Sequence, residues 1–297
     1  MIISLLINIA LLTLLERKIL GYTQLRKGPN IVGFYGLLQP LADGIKLFLK
    51  EPLLPNHVNI FIFIISPLLS FFLSIIVWIF ISYENSSFII ENNISILIII
   101  AINSISVFSI IMAGWSSNSK YGFIGSIRAT SQMISYEVSL GLIIINLCIL
   151  SCSLNIFKLI YIQKLIISFW IPLFPISFLF FVSLIAETNR APFDLTEGES
   201  ELVSGFNIEY SGFIFALFFL GEYSHIIFSS YIFSIFFFSN IIINIYLKGI
   251  LLMILIIWIR SSFPRFRYDQ LMHLLWKNYL PISIFIFILI SSIFFFI

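Results

Sequence analysis

The sequence has 297 residues, of which 60% are apolar and only 10% charged, whereas an average soluble chain carries roughly 25% charged residues. These values exclude a soluble globular domain, and the long unbroken apolar runs exclude a β-barrel, whose strands are short and alternate. The net charge of +2 is too small to indicate nucleic-acid binding, and two cysteines make no disulfide framework. We predict an all-α, polytopic transmembrane helical protein.

The apolar runs predict about eight membrane spans, since a helix of roughly 20 residues crosses a bilayer. We expect a single integral membrane domain over residues 1–297, with spans at about 1–22, 60–81, 94–113, 133–150, 165–186, 213–235, 241–259 and 280–297. One helix from Phe213 to Ile259 would be roughly 70 Å long, too long for a single crossing. We therefore place a turn near Ser239 and Asn240.

The loops between these spans differ strongly in their basic residues. Loops one, three, five and seven hold thirteen lysines and arginines, whereas the even-numbered loops hold Lys158 and Lys164. Basic residues collect on the cytoplasmic side of a membrane or its organellar equivalent. The odd-numbered loops are therefore expected to face that side, with both termini on the other.

The first loop contains an amphipathic segment at residues 36–50. Its apolar side chains share one helical stripe, whereas Asp43, Lys46 and Lys50 lie on the other. This pattern is typical of a helix in the membrane interface, and Asp43 could pair with Lys46 across one turn. A helix that only rests on lipid headgroups is the alternative interpretation.

The fifth loop carries an excess of carboxylates on the otherwise basic side of the membrane. Beside one basic residue, Arg190, it holds six acids: Glu187, Asp194, Glu197, Glu199, Glu201 and Glu209. Clustered carboxylates repel one another, so some are expected to exchange protons near neutral pH. Phe193 and Phe206 interleave with the acids, which favours packing over the alternative of a solvated acidic loop.

Two further acids, Glu137 and Glu222, lie within predicted spans. A charge at the bilayer centre costs about 2.5 to 3.5 kcal/mol, so intramembrane acids are candidates for function. The alternative is a neutral glutamic acid that holds helices together by hydrogen bonds. His225 follows Glu222 by three residues and could join a relay, but a lone histidine is more often structural, and we assign it no role.

Several strings are far more specific than composition. They include ERKILGY at 16–22, LRKGPN at 25–30, SYEV at 135–138, AETNR at 186–190, EGESELVSGFNIEY at 197–210 and PRFRYDQ at 264–270. Essentially from end to end, the sequence resembles the family of subunit 1 of mitochondrial NADH:ubiquinone oxidoreductase, respiratory complex I. The resemblance implies eight transmembrane helices, a place where the hydrophilic arm meets the membrane arm, and much of the ubiquinone chamber.

The resemblance also implies roles for individual residues. An acidic proton path from the chamber toward the membrane arm would comprise Glu137, Glu187, Asp194, Glu197, Glu199, Glu201, Glu209 and Glu222. Charged residues near the chamber or its entrance would be Glu16, Arg17, Asp43, Lys46, Arg128, Arg190 and Arg265. The chain would hold no catalytic residue, no metal and no complete active site.

The function implied is that of a core membrane subunit of a proton-pumping NADH:ubiquinone reductase in the mitochondrial inner membrane, with the odd-numbered loops facing the matrix. Ubiquinone would be the substrate, while NADH, FMN and iron–sulfur clusters would belong to partner subunits. Expected partners are hydrophilic quinone-module subunits, small and antiporter-like membrane subunits, and the bilayer. The alternatives are the anchor subunit of a related membrane hydrogenase or bacterial quinone reductase, and a stand-alone proton-coupled transporter. The second would carry internal repeats or paired half-helices, and the sequence has neither.

Overall fold

The computed structural model describes residues 2–81, 93–165, 167–194, 205–239 and 245–296. This part of the chain is built from helices and contains no β-strand. In chain order they are α1 Ile2–Thr23, α2 Gln39–Leu49, α3 Ile60–Ile76, α4 Ser95–Ser116, α5 Lys120–Ser151, α6 Ile156–Leu165, α7 Phe174–Glu187, α8 Gly212–Phe238, α9 Ile245–Ser262, α10 Tyr268–His273 and α11 Leu280–Phe296. A 3₁₀ turn, Val77–Phe80, extends α3, and a π-helical turn, Leu274–Tyr279, makes α10 and α11 continuous.

Six of these helical segments are long and apolar enough to cross a membrane: extended α3, α4, α5, α8, α9 and continuous α10–α11. Helices suit this environment because each backbone polar group is satisfied within the segment. The prediction of an all-α polytopic membrane protein is thereby confirmed. Helix α1, whose carboxyl end is charged, and the shorter apolar helix α7 would bring the number of spans to the predicted eight. The number of spans stays a prediction.

Two helices begin at residues other than those the hydropathy predicts. Helix α5 begins at Lys120 instead of residue 133, because Ser119 caps it by accepting a hydrogen bond from the Gly122 amide at 3.2 Å. Helix α7 begins at Phe174 instead of residue 165. The prolines at 172 and 175 explain this start, since proline lacks an amide hydrogen and fits best in the first turn of a helix.

The carboxyl end of α8 is held by side chains from two neighbouring segments. Gln163 donates hydrogen bonds to the carbonyls of Ile235 and Phe236 at 3.3 and 2.7 Å. Lys248 donates from its ammonium group to the Phe238 carbonyl at 2.5 Å. These bonds satisfy carbonyl groups that a helix end otherwise leaves without partners. The α8 helix therefore ends close to the turn predicted at Ser239 and Asn240, although Asn240 lies outside the described residues.

Gly125 marks the closest approach of α5 to the segment 205–207. A Cβ atom at this position would lie 2.8 Å from the Cα atom of Gly205, so α5 and the segment touch backbone to backbone. We expect Gly125→Ala to lower the free energy of unfolding by about 1–3 kcal/mol, because one of the two backbones must move. Thermal unfolding of the purified protein in its native assembly measures this change.

Gly141→Ala is the matched control, since it lies on the same helix and a Cβ atom there meets nothing within 4 Å. Alanine favours helix over glycine, so the control is expected to melt at or above the wild-type temperature. Equal melting temperatures for the two variants would show that the α5 contact is not tightly packed.

Candidate functional site

Four charged side chains from distant parts of the sequence meet around two buried members, Glu16 and Arg190. Arg260 of α9 pairs with Glu16 of α1. Arg190, which follows α7, reaches Glu16 with an Nη1–Oε1 distance of 3.7 Å and Glu222 of α8 with an Nη2–Oε2 distance of 3.8 Å. Together with Tyr223 they are called the charge network below. Its order, Arg260–Glu16–Arg190–Glu222, alternates the sign of charge along its length.

Tyr223 holds the centre of the charge network in place. Its hydroxyl donates a hydrogen bond to Glu16 Oε2 at 2.6 Å, and the guanidinium carbon of Arg190 lies 4.6 Å from its ring centroid. Glu16 and Arg190 are only 6% and 5% exposed. Charges buried to this degree must be paired, and the planar guanidinium of arginine suits such a position. The charge network is therefore a balanced set of two acids and two arginines.

A cavity of about 110 Å³, whose lining is mainly apolar with several polar side chains, lies beside the charge network and between α3, α4, α5, α7 and α8. Three carboxylates from three helices share it, namely Glu137 of α5, Glu187 of α7 and Glu222 of α8. Further polar lining comes from Ser70, Asn103, Ser106, Ser109, Thr188, Asn189, His225 and Ser229. Glu222 belongs to both features, so the cavity continues the charge network.

The interior of the cavity suits proton exchange. Asn103 donates a hydrogen bond from Nδ2 to Glu187 Oε1 at 2.8 Å, and Glu137 lies close enough to Glu187 for electrostatic repulsion. A single water needs about 10–15 Å³ of such space and two or more polar partners. The cavity therefore has room for several waters among its carboxylates, and a hydrated carboxylate cluster can pass protons between its members.

The start of the fifth loop is anchored to neighbouring helices. Buried Asp194 accepts a hydrogen bond from Arg265 at 3.2 Å, and the rings of Phe193 and Phe266 stack at 5.5 Å. Gln132 of α5 donates to the carbonyl groups of Ala186 and Phe193. This part of the loop packs against the bundle, as the interleaved apolar residues predict.

The end of the fifth loop is also packed. The Tyr210 ring stacks on Phe63 with centroids 4.0 Å apart, and its hydroxyl lies 3.0 Å from the hydroxyl of Ser66. Burial raises the pKa of Tyr210, and hydrogen bonds to Ser116 and Ser66 partly oppose that shift. Tyr210 therefore stays neutral and fastens the loop to α3 and α4.

The structure brings together many, but not all, of the residues predicted for the site. Glu137, Glu187 and Glu222 meet at the cavity, and Glu16 and Arg190 meet in the charge network. Asp194 pairs with Arg265, outside both features. Arg128 and Glu209 do not line the cavity. Three predicted acids lie outside the described residues: Glu197, Glu199 and Glu201.

The predicted pair between Asp43 and Lys46 is wrong. Asp43 instead accepts hydrogen bonds from Arg17 at 2.5 Å and from Gln39 at 3.0 Å, and this links the end of α1 to α2. Lys46 is exposed on α2, where it makes no ion pair with another described residue. Asp43 pairs with an arginine 26 positions away in the sequence and not with the lysine three residues further on. Only the fold determines where that arginine lies.

Sequence reasoning missed several members of the site. Arg260 and Tyr223 complete the charge network, and Asn103 holds Glu187. Asn103 and Arg260 are polar residues within or at the end of a predicted span, and that position was the available signal. Tyr223 directly follows Glu222, which was already a candidate. Lys248, within the predicted seventh span, is 8% exposed and caps α8.

These features define the class of protein: a polytopic helical membrane protein with paired charges and a cavity lined by carboxylates in its interior. The NADH dehydrogenase family model matches residues 1–291. The chain belongs to the NADH dehydrogenase family, as a membrane subunit of respiratory complex I, which is an oxidoreductase.

Three similar proteins match most of their own length and nearly all of this chain. NADH-ubiquinone oxidoreductase chain 1 of Metridium senile is 54% identical over 99% of this chain and 91% of the relative. The protein of the same name from Lampetra fluviatilis is 50% identical over 99% and 93%, and that from Cyanidium caldarium is 52% identical over 95% and 86%. The similarity therefore covers every element of the site described above.

Proposed function

We propose that this chain forms much of the ubiquinone chamber of the complex and carries protonation changes from that chamber into the membrane arm. Ubiquinone is the substrate class because the relatives are NADH-ubiquinone oxidoreductase chains. The observation that carries the proposal is that Glu222 belongs to both the charge network and the cavity. It pairs with Arg190 in the charge network and also lines the cavity that holds Glu137 and Glu187.

The charge network offers a route for an electrostatic signal. Its charges alternate over a short distance in a buried setting, where Coulomb interactions are much stronger than in water. A proton gained or lost at Glu16 changes how strongly Arg190 attracts Glu222. A change of charge at one end therefore alters the proton affinity of the acid that faces the cavity.

The cavity offers the next step. A proton released by Glu222 has two carboxylates, Glu137 and Glu187, as acceptors across the hydrated space. The two acids lie close enough to repel each other, and a proton bound by either of them relieves that repulsion. We propose that the acids of the fifth loop at 197, 199 and 201, with Asp194 and Glu209, continue this path at the matrix side.

Helices α1 and α2 support the part of the proposal that concerns the ubiquinone chamber. Arg17 and Asp43 pair at the surface near the charged end of α1, and α2 buries none of its residues within the chain. Its apolar stripe is therefore available to lipid, as expected of an interfacial helix. A quinone, which joins a polar head to an apolar tail, suits such a surface. We propose that Lys46, Arg128 and Arg265 contribute charge around the chamber.

The electrons come from partner subunits, which would hold the NADH site, FMN and iron–sulfur clusters. The chain's own residues would bind the quinone, exclude solvent from the charge network and move protons. The partners proposed are the hydrophilic quinone-module subunits and the small and antiporter-like membrane subunits. Coupled turnover of Glu222→Gln in the assembled complex tests the proton path, and its design is given in the Discussion.

The orientation proposed is one in the mitochondrial inner membrane with the odd-numbered loops toward the matrix. Lys120 is exposed at the start of α5, and we expect an impermeant amine reagent to label it only from the matrix side once partner subunits are removed. The exposed Lys158 and Lys164 of α6 are the matched controls, because they should be labelled only from the opposite face. Labelling of Lys120 and Lys158 from one face would overturn this orientation.

A further inference from the structure

His225 occupies a position that the proton path does not yet use. It follows Glu222 by one turn of α8, and its side chain lines the same cavity. Among the residues that the structure describes, none makes a hydrogen bond or ion pair with its imidazole. A histidine that served only to hold helices together would be fixed by such a bond.

The surroundings of His225 supply partners of another kind. Both ring nitrogens of an imidazole need partners when they are removed from bulk water, and the cavity of about 110 Å³ has space for several waters. The ionisable groups that face the same space are Glu222 on its own helix, Glu137 on α5 and Glu187 on α7. The lining from α3 and α4 is uncharged and includes Ser70 and Asn103.

His225 is also the ionisable lining residue farthest along α8. The next polar residue, Ser229, donates its hydroxyl hydrogen to the carbonyl of Ile226 at 2.9 Å. Beyond it the α8 lining consists of Ile232 and Phe236. The imidazole therefore lies one turn further along α8 than Glu222 and shares the cavity with the two acids of α5 and α7.

We propose that His225 is a proton-relay residue that connects Glu222 with the acids Glu137 and Glu187 through cavity water. This inference rests on the proton path proposed above. The imidazole accepts a proton from the Glu222 carboxyl group at one ring nitrogen and releases the proton of its other nitrogen to the acceptor carboxylate. Glu222 ends ionised, the acceptor ends protonated, and the neutral ring has exchanged its tautomer. The reverse transfer or a ring flip resets it.

His225→Asn in the assembled complex tests the relay, because asparagine keeps a polar amide but cannot pass a proton through itself. We expect assembly and quinone binding to remain, and coupled turnover to fall at least about tenfold. A positioned acid–base group typically contributes about 10²–10⁴-fold to a rate. The pH dependence of coupled turnover should also change, because only the carboxylates are then left to pass the proton, whereas a purely structural residue would leave it unchanged.

The control is His57→Asn, since His57 is exposed in the loop before α3 and should leave the pH profile unchanged. A wild-type rate and pH profile in His225→Asn, with pumping lost in Glu222→Gln, overturns the relay and leaves the proton path standing. Wild-type pumping in Glu222→Gln refutes the path itself. If His225→Asn does not assemble, His225→Gln takes its place, and failure of both variants to assemble assigns His225 a structural role and overturns the relay.

Discussion

Glu222→Gln is expected to leave an assembled complex that binds quinone but has lost most of its coupled turnover. Glutamine has nearly the same volume and still fits between the charge network and the cavity, so packing is preserved. It cannot exchange a proton, and it no longer offers Arg190 a negative charge. Both links through this position are removed by one substitution, while Arg190 keeps its contact with Glu16.

The measurement is NADH-to-quinone turnover together with proton uptake in reconstituted vesicles, with assembly checked on native gels. Glu222→Asp is the matched control, because it keeps the carboxyl group and shortens its reach by one methylene. We expect the aspartate variant to retain part of the activity. Wild-type pumping in the glutamine variant would make Glu222 a structural hydrogen-bonding group and remove it from the path.

Arg190→Met is expected to have the largest effect on stability. The arginine is 5% exposed, pairs with two carboxylates and lies over the Tyr223 ring. Its removal leaves the partly buried Glu222 without its arginine partner and the buried Glu16 with Arg260 alone. Breaking a buried pair in this way costs about 3–5 kcal/mol. We therefore expect reduced assembly on native gels and a lower melting temperature for the complex that does form.

Two further variants serve as comparisons for Arg190→Met. Arg190→Lys keeps the charge but not the planar fork that reaches two partners, so it should fall between the wild type and the methionine variant. Arg17→Met breaks an exposed pair with Asp43, in which the Arg17 side chain is 54% exposed. Exposed pairs contribute about 0–1 kcal/mol, so assembly should be nearly unchanged. Equal losses in Arg190→Met and Arg17→Met would contradict a special role for the buried network.

Hydropathy predicts the helices well because a membrane span has to satisfy its backbone internally and expose apolar side chains to lipid. It fails where the protein itself shields polar side chains. The first four turns of α5 carry Ser126, Thr130 and Gln132, which are buried against neighbouring segments and not against lipid. A hydropathy window assigns such residues to a loop, although tertiary packing keeps them helical.

The acids of the cavity were predicted from their place in an acidic loop or within apolar spans, but their grouping could not be derived from the sequence. Glu137, Glu187 and Glu222 come from three helices, and no spacing rule connects residues so far apart in the chain. The same holds for the pair of Glu16 with Arg260, whose members are 244 positions apart. The spacing rules for helices instead predicted an ion pair between Asp43 and Lys46, because these rules consider only neighbours within one turn of the same helix.

Both ends of α8 are fixed to neighbouring segments, so its charged middle has little freedom to shift along the helix axis. At the carboxyl end, Gln163 and Lys248 bind the last turn. At the other end the helix begins at Gly212, whose φ of +61° and closeness to the Lys50 carbonyl exclude larger residues. A displacement of Glu222 along α8 would therefore also have to move the segment that follows α2.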